Sequence, residues 1–140
     1  MKIVFENGNE LDCIDVVERE ELCIGSNRHV LTVMCEPDAL SLDTLNTIIS
    51  DTAKTVGLLV VDTMIEEKME DGELVQTPIP VEKDYEGYTM KLFVGIEKVL
   101  VQQERPDSAA VYADRLVFKL GRPTFMEQKL AALGINATVQ

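Results

Sequence analysis

Apolar and polar residues alternate with a period of two along most of this chain, so β-strand is the dominant prediction. His29–Glu36 is the cleanest case. His29, Leu31, Val33 and Cys35 point to one side, Val30, Thr32 and Met34 to the other, and Pro37 ends the run. Lys2–Glu6 predicts a short strand. Asn7-Gly8-Asn9 behind it predicts a hairpin turn, because Asn and Gly tolerate positive φ. The return strand is expected over Glu10–Val17, with Leu11 and Cys13 on one face. Acidic Glu18–Glu21 reads as a solvated edge or bend, Leu22–Ile24 as a strand fragment, and Gly25–Arg28 as a turn.

In Val56–Ile65 the alternation gives way to an apolar run up to Val61, which predicts a central strand covered on both faces. Glu66–Glu73 is acidic with Asp71-Gly72 at its tip, so an exposed turn is expected there. Thr77-Pro-Ile-Pro80 is excluded from a central strand, since each proline removes a ladder donor; it reads as an edge segment or loop. Tyr88–Gln103 is the longest alternating run. Tyr88, Met90, Leu92, Val94 and Ile96 share a face, and Gly95 marks a place for a bulge. After a turn at Glu104–Ser108, Val111–Leu120 pairs back with Tyr112, Leu116, Phe118 and Leu120 inward.

Two stretches switch to a helical period. Ser41 is a cap and Asp43 favours the first turn of a helix from about Leu42 to Thr52, with Leu42, Leu45 and Ile49 in one stripe. Thr124 and Glu127 form a T-x-x-E capping box opening a C-terminal helix over about 125–133. Met126, Leu130 and Leu133 make its expected buried stripe, Gly134 its C-cap, and Ile135 folds back on its end. A second reading of this helix is a docking element for a partner. Short turns cannot make parallel crossovers. The prediction is therefore one α+β, β-rich domain over 1–140. Its sheet is largely antiparallel, curled or sandwiched, with about six or seven strands.

Composition supports a folded domain. A chain of 140 residues buries roughly 70% of its unfolded surface without needing disulfides. No apolar run reaches the ~18 residues of a membrane span. The N-terminal pattern is a strand with acids behind it rather than a signal peptide, so synthesis and retention in the cytoplasm are expected. Cys13, Cys23 and Cys35 are odd in number, loosely spaced and set among apolar neighbours, which reads as small core residues in a reducing compartment.

Signals of chemistry are missing. His29 is the only histidine, and neither a G-x-S-x-G elbow nor a phosphate-cradling glycine motif accompanies it. The acidic Glu66–Glu73 run lacks the order of ligands in a calcium loop. No tryptophan and few other aromatics leave stacking surfaces poorly supplied. The expectation is a protein that is not an enzyme, with no cofactor, no metal and no catalytic residue.

Charge is informative in a different way. A net charge of −12 repels nucleic acid and anionic membrane. Yet residues 109–140 hold Arg115, Lys119, Arg122 and Lys129 against only Asp114 and Glu127, a net of +2, leaving −14 on the first 108 residues. These four cations are the candidate partner-contact residues.

Several short motifs resemble a group of small, uncharacterised proteins encoded in phages and prophages of intestinal Gram-positive bacteria. They are Phe5-Glu-Asn-Gly8, Gly25-Ser-Asn-Arg28, Ser41-Leu-Asp-Thr-Leu45, Gly87-Tyr-Thr89 and the closing Arg122–Leu133. One extra residue near Pro123 interrupts the last. The matches span most of the chain, but they describe turns and caps, so no functional residue transfers with them. The resemblance implies a virion structural protein of the tail or neck region. The leading expectation is thus an assembly protein with protein partners, a second copy of itself among them in a ring or filament. The alternatives are an acidic binding module or inhibitor, such as a nucleic-acid mimic, and an enzyme of unrecognised type.

Overall fold

The computed structural model describes residues 1–102 and 109–134. The expected turn at Glu104–Ser108 and the fold-back of Ile135 lie outside them. The architecture is a single α+β domain with eight strands rather than six or seven: β1 (Lys2–Val4), β2 (Glu10–Asp12), β3 (Asp15–Cys23), β4 (Ser26–Cys35), β5 (Gly57–Glu70), β6 (Glu73–Glu86), β7 (Met90–Gln102) and β8 (Val111–Gly121). They form two open four-stranded sheets, ordered β2-β1-β5-β6 and β3-β4-β8-β7; of the curled or sandwiched arrangements expected, the curled one is absent. Every pairing is antiparallel, as the short turns between β3 and β4 and between β5 and β6 require of those two pairs.

Two stretches account for the extra strands. The expected strand Glu10–Val17 divides at Cys13-Ile14, where the chain leaves the first sheet for the second. The proline-bearing segment is a full strand, β6, and it lies on an edge as the missing donors demand. Acidic residues mislead in the same way. Glu18–Glu21 lies inside the edge strand β3, and Glu66–Glu70 inside β5. Charged side chains on solvated strand faces cost the ladder nothing, so polarity there does not mean a turn.

The hairpin tips are tight two-residue turns. Ile24 and Gly25 join β3 to β4 with φ of +49° and +76°, and Asp71 and Gly72 join β5 to β6 with +52° and +77°. Positive φ at both positions is what a type I′ turn demands. The expected turn Gly25–Arg28 therefore shrinks to Ile24-Gly25, and Arg28 becomes a strand residue.

Inward-facing residues of both sheets meet in one buried cluster. Ile3, Leu58 and Val60 come from the first sheet; Leu31, Val33, Leu116 and Phe118 come from the second. The helix α1 (Leu42–Ile49) adds Leu45 and Ile49. Ser41 caps it through Thr44 N at 3.2 Å. It is shorter than expected, because Asp51 starts a separate turn, α2 (Thr52–Thr55), by accepting from Ala53 N. Leu42 of the expected stripe is exposed.

In β7 a register shift between Lys91 and Phe93 breaks the single face expected for Tyr88–Ile96. Gly95 is not the bulge. A Cβ there would lie 2.9 Å from the Phe93 ring, so the glycine gives that ring its seat. Among the described residues, no helix is long and apolar enough to cross a membrane.

Candidate functional site

The C-terminal helix α3 (Phe125–Ala132) is held by polar contacts at its start. Thr124 Oγ1 accepts from Glu127 N at 3.2 Å, and Glu127 Oε1 accepts from Thr124 N at 3.0 Å, completing the capping box foreseen in the sequence. Glu127 Oε1 also accepts from Arg28 Nη1 at 2.6 Å. Arg28 is buried, and its guanidinium further donates to the carbonyls of Cys23 (3.0 Å) and Ile24 (3.1 Å) and to Met90 Sδ (3.1 Å). One cation thus clamps the β3–β4 turn, the start of β7 and the N-terminus of α3. Its hydrogen bond, then that of the Thr124 amide, holds the Glu127 carboxyl below its ordinary range.

The buried stripe expected on α3 is absent. No residue of the helix is buried: Met126 is 62% and Leu133 74% exposed, while Leu130 is half-buried. Phe125 is exposed as well, with Lys129 Nζ 5.0 Å from its ring centroid. The helix is a capped element that offers apolar side chains to solvent.

The four candidate contact residues divide. Arg122 stacks 5.0 Å from the Tyr88 ring centroid and donates twice to the Glu86 carbonyl, at 3.0 and 2.7 Å. Lys129 lies beyond it, in the second turn of α3. Lys119 lies two residues before Gly121, at the same end of β8. Arg115 belongs elsewhere. It is four residues further up β8, paired with Glu36 at 3.5 Å. Arg122 and Lys129 therefore lie at α3, with Lys119 nearby on β8, and among the described residues none of these three is in an ion pair.

A second surface was missed by the sequence. β5 and β6 pair over all 14 residues of each, but β1 flanks β5 only at Leu59–Val61. Beyond that the pair is an unaccompanied two-stranded arm, and no residue from Val61 to Asp84 is buried. Met64, Ile65, Met69 and Leu74 are 56–68% exposed on it. Residues 62–81 carry six acids against Lys68, a net of −5.

Chemistry is sparse elsewhere. Two open clefts, of about 520 and 360 Å³, flank Arg122. The larger is lined by Glu6, Gly57 and Glu86; the smaller includes His29, exposed and opposite Glu20. Neither cleft holds a cysteine, serine or metal-ligand cluster, and among the described residues no three His, Cys, Asp or Glu side chains gather to hold an ion. Burial pushes the thiols of Cys13 and Cys35 up to about 11 and 12, which suits core residues and not nucleophiles. Tyr88, fully buried, donates its hydroxyl to Glu18 of β3; burial first, then that bond, raises it above its ordinary value. Comparison with protein-family models, curated proteins and solved structures finds no match for the chain.

Proposed function

We propose that this chain is a non-enzymatic structural or assembly protein, a virion-associated component of the tail or neck region that acts through protein–protein contacts. The observation that carries the reading is the β5–β6 arm. A two-stranded ribbon is marginal in water by itself, and this one bears large apolar side chains that its own core does not use. Such a surface is explained by a protein that covers it. The exposed α3 adds a second surface of the same kind. The placement in a virion is supported by the short motifs that resemble phage and prophage proteins. Neither nucleic acid nor membrane is proposed as a partner, given the −12 charge.

Quantitative mass spectrometry tests this. Particles purified on a density gradient from cells that encode the chain should contain it in several copies and in fixed proportion to the major shell protein. Abundance in the cell extract with absence from the particles would overturn the reading.

A further inference from the structure

Resting on that reading, we propose that the protein covering the arm is a second copy of this chain, with the β5–β6 arm of one copy docked on the α3 pole of the next. The two surfaces are complementary and lie at opposite ends of the molecule. β5 begins at Gly57, which lines the same cleft as Arg122 and Gln128, beside α3. It then runs 14 residues away from that pole. At ~3.3 Å per residue the Asp71-Gly72 tip stands about 40 Å from it. The acids of the arm therefore cannot neutralise Lys119, Arg122 and Lys129 of their own chain. They can meet those of a neighbour.

The tip is charged against itself. Glu70 and Glu73 face each other across the last cross-strand pair, an arrangement that repels in the free arm. A basic partner removes that repulsion. The apolar side chains match as well. Met69 and Leu74 are opposite each other on one face of the arm, and Ile65 lies four residues along on the same face. Phe125 and Met126 of α3 and Leu133 at its C-cap are exposed apolar residues. Each surface thus carries an apolar centre. The arm around it is net negative over residues 62–81, with Lys68 the one cation there; the pole brings Lys119, Arg122 and Lys129, with Glu6, Glu20 and Glu86 lining the clefts beside Arg122. The contact joins unlike surfaces, so repetition closes a ring or extends a filament.

Charge reversal on each side separately tests the contact. The arm variant is Glu70→Lys with Glu73→Lys; the pole variant is Lys119→Glu with Lys129→Glu. None of these four residues is buried, and circular dichroism checks that both variants fold. In sedimentation velocity the wild-type chain should run above its 15.6 kDa monomer mass at low salt. Raising salt from 0.1 to 1 M should dissociate it, as the screening length falls from ~10 to ~3 Å. Each variant alone should be monomeric, with association weakened at least about tenfold. An equal mixture of the two should associate again, because the intact arm of the pole variant then meets the intact pole of the arm variant. A wild-type chain that stays monomeric at low salt and high concentration overturns the proposal. So does association indifferent to either reversal, or a mixture of folded variants that does not recover. A chain found in particles yet monomeric alone would keep the proposed function and remove only this contact.

Discussion

Arg28 ties together the β3–β4 turn, the start of β7 and α3, and its neighbours in the sequence announce none of it. Gly25-Ser-Asn-Arg28 looks like a polar turn; only the sheet register brings Arg28 beneath Glu127, 99 residues away. Removing it leaves the Glu127 carboxylate with only the Thr124 amide and takes the guanidinium away from the carbonyls of Cys23 and Ile24. Arg28→Ala should therefore cost about 3 kcal/mol in urea denaturation, the lower end of what breaking a buried ion pair costs. The pair also sets a pH dependence. Glu127 titrates below its ordinary 4.5 in the folded chain, so on acidification the unfolded state takes up the proton first. The contribution is complete above about 4.5 and is lost as pH falls through the lowered folded value. The stability gap between wild type and Glu127→Gln should be widest near pH 7 and shrink toward pH 3. The same guanidinium explains why a β-branched residue survives at φ +49°: it holds the Ile24 carbonyl in place. Since Ile24 is 47% exposed, little burial is lost with it, and Ile24→Asn should raise stability by about 1 kcal/mol in the same assay.

At the scale of elements, local signals proved readable and tertiary ones did not. The caps at Ser41 and Thr124, the Asp71-Gly72 tip and the alternation of β4 stand where the sequence puts them, because each is decided by residues within a few positions of one another. The burial of α3 was misjudged because spacing names a stripe without saying whether a surface exists to receive it. Leu130→Ala should accordingly cost under about 1 kcal/mol, well short of the 2–5 kcal/mol of a core truncation. Thr124→Ala, which removes the cap, should cost about 1 kcal/mol and match or exceed it. Hydrogen exchange would show the difference directly, as α3 amides losing protection while those of β4 and β8 keep theirs. The arm went unread for a related reason. Glu66–Glu73 and the two prolines look like breaks, yet a hairpin exposed on both faces tolerates acids and prolines that an interior strand would reject. The candidate cations illustrate the limit most plainly: net charge along the chain found all four, but only the fold separates Arg115, engaged by Glu36, from the three at the α3 pole.

For the molecule as a whole, the arm is an appendage. Joining Thr63 to Pro80 through an Asn-Gly turn removes no buried residue. The trimmed chain should fold with a melting temperature within a few degrees of wild type while remaining monomeric by light scattering. A thermal collapse would mean that the arm belongs to the core after all. The prolines of β6 decide one thing more. Pro78 and Pro80 lie opposite Ile65 and Thr63 on the outer edge of the arm, two residues apart, so their nitrogens face the same way. Pairing with β5 is intact, which directs both nitrogens toward the open edge, and neither carries a hydrogen to donate. A third strand laid along that edge would find two successive donors missing. The arm can then be long, apolar and unaccompanied without recruiting strands from other molecules into an endless sheet. Replacing both prolines by threonine should leave the monomer fold unchanged in circular dichroism, and the variant should deposit thioflavin-positive fibrils on storage under conditions where the wild type does not.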